Sequence, residues 1–449
     1  MDSMHEECGI FGIVSPERKR VGNITYFGLY ALQHRGQESA GIAVSDGERI
    51  SYYKRLGVVN EVFSEEVLEE LQGKLSVGHV RYSTAGGKKT VSNAQPLVTD
   101  FKYGMLALAH NGNLTNYEKL KQELEEDGAI FQSDSDSEVL IHLIARSGRK
   151  TFREALLASL PRLEGAFSLI AVNNDKIYAI KDRHSIRPLC MGRLRKKLIF
   201  SSESCALDMI DGTLVRELEP GEVVCADTSG NISSEFFTDR VEKKICSFEY
   251  IYFSRPDSQI FGQSVHEVRK RFGAMLAEKY PVQADVVIPV PDSGISAALG
   301  YGDCAGIPYD KGIIRNHYIG RTFIQPMQEL RNMKVKMKLN PVPGVVKGKK
   351  VVVVDDSVVR GTTSKQIVKL LRNAGAEEVH LRISSPMITG PCRLGIDTPT
   401  GNELIANRLE KNDICRELNA DSIEYLSVHQ LRDCLGGEEF CLGCFQRKE

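Results

Sequence analysis

Four consecutive valines, Val351 to Val354, form a continuous apolar run that ends at two acids, Asp355 and Asp356. β-Branched side chains favour extended backbone, and an unbroken apolar run of this length predicts a strand covered on both faces, as in a parallel sheet. A loop of small and hydroxylic residues, Ser357 to Thr363, follows, and Ser364 to Leu371 has the apolar spacing of an amphipathic helix. A second buried strand running into a tight turn is predicted over Asp285 to Gly294, and a helix with Lys and Arg on its polar face over Val265 to Tyr280. Strands alternating with helices imply a mostly parallel sheet. Near the start of the chain, the alternation in Cys8-Gly9-Ile10-Phe11-Gly12-Ile13 reads as a strand, with glycines where close backbone approach is needed. Lys119 to Glu126 reads as a helix with a solvated charged face. The chain passes from one module to the next around Val241 to Ser254, and Arg315 to Pro326 has no clean period.

The order strand, acidic pair, small-residue loop, helix carries chemistry. In open α/β sheets ligands bind beyond the carboxyl ends of the strands, where a helix N-terminus offers free N–H groups to an anion. Gly361 lets the backbone approach a phosphate, Thr362, Thr363 and Ser364 add hydroxyls, and two carboxylates suit sugar hydroxyls or a hydrated Mg²⁺. A ribose 5-phosphate fits that pattern. A Walker loop does not: Gly344 to Lys349 is too short and precedes the strand. As a whole string, VVVVDDSVVRGTTS resembles the phosphoribosyl pyrophosphate (PRPP) signature of the type I phosphoribosyltransferases. That resemblance extends over about Asp257–Ile405.

At 449 residues the chain is long enough for two or three cores. A formal net charge of −1 gives no reason to expect nucleic acid or an acidic membrane surface as partner. The first seven residues are acidic and lack an apolar core, unlike a signal peptide, and no run is long enough to span a bilayer, so a cytoplasmic protein is expected. Eleven scattered cysteines then argue for free thiols, catalysis or a metal centre, and against a disulfide framework.

A lone cysteine in a strand is usually core, but Cys8 has company. Gln33 to Gly41 (QHRGQESAG), His79 to Thr84 (HVRYST), His110 to Leu114 (HNGNL) and Ser135 to Glu138 (SDSE) follow it. In this order the motifs resemble the class II glutamine amidotransferase domain, an N-terminal-nucleophile hydrolase built as a four-layer αββα sandwich, over roughly Cys8 to Arg240. The chemistry is consistent. A thiol attacks as the thiolate and needs a base. Removal of residues 1–7 as a propeptide gives Cys8 a free α-amino group, whose ordinary pKa of about 7.7–8.0 lets it accept the thiol proton. Attack on the glutamine side-chain amide creates an oxyanion, for which the Asn111 side chain and the Gly112 N–H are candidate donors. Arg81 offers a fork for the substrate α-carboxylate, and Asp136 a counter-charge for its ammonium. His34, His79 and His110 have no metal-ligand spacing and read as packed or orienting side chains; Cys190, Cys205 and Cys225 read as core or surface thiols.

The join of the two modules resembles the amidophosphoribosyltransferases. The resemblance implies that ammonia from glutamine is transferred to C1 of PRPP, with glutamine and PRPP as substrates. It implies PRPP contacts from Asp355, Asp356, Ser357, Arg360, Gly361, Thr362 and Thr363, a closing loop that brings Arg321, and Mg²⁺ held by Ser293, Asp355 and Asp356. It further implies purine nucleotides as feedback inhibitors and a homotetramer.

The C-terminal Cys441-Leu442-Gly443-Cys444 pair is compatible with zinc, an iron–sulfur cluster, redox chemistry or plain thiols. One subgroup of the family carries a [4Fe–4S] cluster, and Cys246, Cys392, Cys441 and Cys444 match its four ligand positions. Arg393-Leu394 departs from the aromatic residues common after the second ligand. The division expected is 1–7 propeptide, 8–240 glutaminase, 241–405 phosphoribosyltransferase, and 406–449 an extension with the cluster cysteines. Two other readings stay open. A glutamine-dependent synthase with another acceptor is opposed by Val351–Ser364. A PRPP-sensing regulator is opposed by the full set of glutaminase residues.

Overall fold

The computed structural model describes residues 8–82, 90–316, 339–396, 398–399 and 401–446. The expected propeptide 1–7 and Arg321 of the expected closing loop lie outside the described residues.

The first half contains two antiparallel sheets. One has seven strands, in the order Thr213–Glu217, Cys190–Leu194, Lys197–Ser201, Gly9–Lys19, Gly73–Arg81, Ser39–Ser45, Ile50–Leu56. The other has six, in the order Ile232–Phe236, Glu222–Asp227, Lys176–Lys181, Gly165–Asn173, Gly104–Leu114, Leu97–Phe101. Side chains alternate across a strand, and here each face buries against a different layer. Ile10 and Val14 join Ala109, Ile170 and Ile177 between the sheets, while Phe11 and Ile13 turn outward onto Val21 and Leu29 of the helix Val21–Ala31. On the far side, Leu106, Leu108 and Leu169 pack under Leu120 and Leu124 of the helix Tyr117–Glu126 and its neighbours. The result is helix, sheet, sheet, helix. Gly12 lies at a close approach of the two sheets: a Cβ there would stand 2.9 Å from Ile170 Cγ2.

The second half is built on a parallel sheet in the order Val286–Pro289, Lys350–Asp355, Glu378–Ile383, Ser422–Tyr425. Val351 and Val353 pack with Ile367, Val368 and Leu371 of the helix Thr362–Asn373 on one face. Val352 and Val354 pack with Phe272, Leu276 and Ala297 on the other. These last residues belong to the helices Val265–Lys279 and Ile295–Ala305, which lie almost in contact, since a Cβ on Gly273 would stand 1.8 Å from the Ala297 carbonyl oxygen. The fourth strand, Ser422–Tyr425, comes from beyond residue 405, so the sheet reaches into the stretch expected to be an extension. It gave no sequence signal because only Ile423 and Tyr425 of its four residues are buried, alternating with Ser422 and Glu424 in place of an unbroken apolar run.

The passage between modules is buried. Ile245–Cys246 pairs in parallel with Phe440–Cys441, and a single turn of π-helix, Glu249–Phe253, follows. One apolar cluster takes in Ala166 and Ile186 from the first half with Phe248, Tyr250, Ile388, Ile396 and Phe445 from the second. Among the described residues no helix is long and apolar enough to cross a membrane.

Candidate active sites

Cys8 stands half-buried at the head of the central strand Gly9–Lys19, its Sγ 3.6 Å from the Tyr82 carbonyl oxygen to which it donates. Its own carbonyl accepts from Arg35 Nε at 3.1 Å. Arg35 is fully buried and spends its remaining nitrogens on Glu203, at 2.6 Å, and on Glu249, at 2.8 Å. Burial alone would raise Glu203, but the charges of His34 and Arg35, with hydrogen bonds from His34 and Ser258, outweigh it and hold that carboxyl below the usual range. Glu249 comes from the π-turn, so the two halves meet through charge directly behind Cys8.

The neighbouring strand Gly73–Arg81 ends at Arg81, and the facing sheet supplies Asn111 and Gly112 from Gly104–Leu114. His79 ties the two together: its Nε2 lies 3.0 Å from the His110 carbonyl oxygen. Burial pushes the His79 imidazole down to about 3, so it is neutral and Nε2 is the donor. Asn111 is buried, and neither end of its side-chain amide has a hydrogen-bond partner among the described residues; Arg81 Nη1 is likewise buried and unpartnered. Leaving a buried polar group unpaired costs about 1–3 kcal/mol, so these orphaned groups, one on each sheet, mark a candidate ligand site. Gly112 adopts φ +146°, and a Cβ there would collide with the Ala166 carbonyl oxygen at 2.0 Å, which excludes any side chain. Asp136 accepts from the Leu114 N–H at 2.8 Å and faces His110 Nδ1 at 3.3 Å. Burial would raise its pKa, but the His110 charge and hydrogen bonds hold the carboxyl below its ordinary value.

In the second half, Asp355 and Asp356 lie at the carboxyl end of the central strand, both buried. Burial and the charge of Asp356 push Asp355 well above the usual carboxylate range. Burial raises Asp356 too, against the opposing pull of hydrogen bonds from Ser293 and Ser357 and the charge of Arg269. Ser293 Oγ donates to one Asp356 oxygen, and Ser357 Oγ to the other at 2.5 Å. Ser293 is brought there because its turn presses on the strand: a Cβ on Gly294 would meet the Val354 carbonyl oxygen at 2.4 Å. Gly361, at φ +82°, opens the helix Thr362–Asn373 with no side chain capping its first N–H groups. Thr362 is exposed and Thr363 half-buried, while Arg360 is paired with Glu403 at 2.9 Å. A hydroxyl and two carboxylates form an all-oxygen donor set, which fits Mg²⁺.

Sequence reasoning quoted Arg35 without giving it a role and missed Glu203, Glu249 and Arg269. Arg269 Nε donates to Tyr250 O at 2.6 Å and its Nη2 to Ser254 O at 2.8 Å, from beside Asp356. The only signal was an unremarkable charge in each of four separate segments.

The four cysteines gather at the seam. Cys246 pairs with Cys441 in the short parallel ladder, and the thiols of Cys392 and Cys444 interact, which together with the Arg187 charge holds Cys392 down at about 6. Among the described residues none of the four is in a disulfide, and no three His, Cys, Asp or Glu side chains converge as single-ion ligands.

Two family models match the chain, a glutamine amidotransferase domain over residues 79–209 and a phosphoribosyl transferase domain over residues 262–384. The amidophosphoribosyltransferase of Methanocaldococcus jannaschii is 48% identical, over 98% of this chain and 97% of its own length. That of Bacillus subtilis is 49% identical, over 99% of this chain and 94% of its own. The chain belongs to the amidophosphoribosyltransferase family. A solved structure from B. subtilis, glutamine PRPP amidotransferase complexed with ADP and GMP, superposes with a TM-score of 0.92 at 48% identity, covering 98% of this chain and 96% of the other. Within this family the chain is a glutamine-dependent pentosyltransferase of the first step of purine biosynthesis.

Proposed function

We propose that the two sites divide the reaction PRPP + glutamine + H₂O → 5-phosphoribosylamine + glutamate + diphosphate, with Cys8 releasing ammonia and the Asp355–Asp356 site consuming it. The observation that carries this reading is the orphaned Asn111 amide beside the side-chain-intolerant Gly112. Once residues 1–7 are removed, the α-amino group of Cys8 takes the thiol proton and returns it to the departing ammonia. Asn111 Nδ2 and the Gly112 N–H stabilise the tetrahedral oxyanion, and the half-buried Arg81 fork binds the substrate carboxylate. Asp136, held ionised by its surroundings, receives the substrate ammonium.

At the second site the open N-terminus of the Thr362–Asn373 helix, with Gly361, Thr362 and Thr363, takes the 5-phosphate of PRPP, and Asp355 and Asp356 face the ribose hydroxyls. Ser357 holds Asp356 in place, and Arg360 and Arg321 complete the contacts to the phosphates. Ser293, Asp355 and Asp356 would hold Mg²⁺, which supplies neutralisation of the departing diphosphate. The raised carboxyls are consistent with a pair shaped for a cation.

Cys246, Cys392, Cys441 and Cys444 would hold a [4Fe–4S] cluster, one thiolate to each iron. What supports this reading is that Cys246 and Cys441 are register partners in the short ladder and the Cys392 and Cys444 thiols interact, which makes an all-sulfur donor set. Purine nucleotides bind as feedback inhibitors, a reading supported by the B. subtilis structure being complexed with ADP and GMP, and the working unit is a homotetramer.

Glutamate and diphosphate release, followed with and without PRPP, tests the division. Diphosphate should appear only with PRPP and a nitrogen donor, and glutamate release should rise when PRPP is added. Glutamine hydrolysis with no diphosphate under any condition would overturn it.

A further inference from the structure

Gly112 is confined on two sides. The Ala166 carbonyl blocks the direction a side chain would take, and the backbone of residues 393–395, from the other half of the chain, lies against its carbonyl. Three contacts fix that second wall. Asn113 Nδ2 donates to the Arg393 carbonyl oxygen at 3.1 Å, and the fully buried Arg187 donates from Nη2 to the Leu394 carbonyl oxygen at 2.6 Å. Gly395 takes φ +109°, and a Cβ there would stand 3.1 Å from the Gly112 carbonyl carbon and 3.2 Å from Arg187 Nη2. Beneath the turn, Ile396 and Leu394 pack with Ala166 and Ile186.

We infer that the Arg393-Leu394-Gly395 turn is the outer wall of the oxyanion site, and that Asn113 and Gly395 are positioning residues for glutamine hydrolysis. The inference rests on the assignment of Asn111 and Gly112 as oxyanion donors and adds that their backbone is set from the phosphoribosyltransferase half. A donor is effective only at hydrogen-bond distance from where the oxyanion forms, so a shift of a few tenths of an ångström lowers turnover without changing how substrate is bound. The thiol at Cys8 is on another sheet and is untouched. So is the site that uses ammonia.

Gly395→Ala and Asn113→Ala test this in the full-length enzyme, with Asn111→Ala alongside. Both wall variants should lower kcat for glutamine hydrolysis about tenfold or more, toward the roughly 10²-fold that a misplacement of about 1 Å costs. KM for glutamine, ammonia-dependent synthesis and the rate of Cys8 alkylation by iodoacetamide should each stay within about twofold. A merely structural role would lower all four together, and that result would overturn the inference. Unchanged glutamine kcat in both wall variants, with Asn111→Ala impaired, would also overturn it while leaving the oxyanion assignment standing. Unimpaired Asn111→Ala would instead remove the assignment itself, and the inference with it.

Discussion

Arg35 donates from Nε to the carbonyl oxygen of Cys8 at 3.1 Å, and the same guanidinium is held between Glu203 and Glu249, all three without exposed side-chain surface. The residue that sets the nucleophile's backbone is thus fixed from both halves of the molecule. Replacing one member of a buried ion network leaves the others charged and unpaired, which costs about 3–5 kcal/mol. Arg35→Met should therefore lower the thermal unfolding midpoint clearly and depress glutaminase activity more than ammonia-dependent synthesis. Calorimetry with both assays checks this; an unchanged midpoint would contradict it.

The acidic pair should separate the two half-reactions from the other side. Asp355→Asn or Asp356→Asn should lose synthesis with either nitrogen donor and keep the basal glutaminase. Ammonia-dependent synthesis at the full rate in both variants would refute the PRPP assignment.

Asp355 also gives a pH dependence with a definite sign. Its folded-state pKa is raised, so the folded protein holds that proton more tightly than the unfolded chain. Its stabilising effect is complete below the unfolded value, about 3.9, and is lost as pH rises through the folded value. Without Mg²⁺ or PRPP, Asp355→Asn should be more stable than the parent protein at neutral pH, and the gap should close toward pH 4. Melting curves across that range decide it; a gap that widens on acidification would be the wrong sign.

Much of this architecture is legible in the sequence because local pattern and burial agree. The four valines alternate between two helical layers, as a doubly covered strand must, and Gly12 sits at a close approach of the two sheets. The Asp355–Asp356 pair is readable because it ends its own strand, while Ser293, which meets Asp356, is expected only from the family resemblance. What escaped has another physical origin. Arg35, Glu203 and Glu249 are brought together over separations of 168 and 214 residues, and no local period marks a charge as buried. The Arg393–Gly395 wall consists of backbone carbonyls, which every residue has. The fourth parallel strand, Ser422–Tyr425, buries only Ile423 and Tyr425 and so lacks the apolar run that marks Val286–Pro289 and Val351–Val354.

The cysteine seam makes a chemical prediction. Protein purified without oxygen should be brown and contain iron and sulfide. Cys441→Ser should lose the colour and fold poorly, because ligand binding there ties the C-terminal strand to Cys246. Stoichiometric zinc and no iron after the same preparation would decide for a zinc site.

The central claim is that one chain carries two separable chemistries, with ammonia made at one site and consumed at the other, and Cys8→Ala tests it most directly. The rate of diphosphate release from PRPP is measured with glutamine and, separately, with concentrated ammonia at alkaline pH. The account predicts that glutamine-dependent synthesis is abolished and ammonia-dependent synthesis survives near the parent rate. A retained glutamine-dependent rate, or equal loss of both, would contradict it.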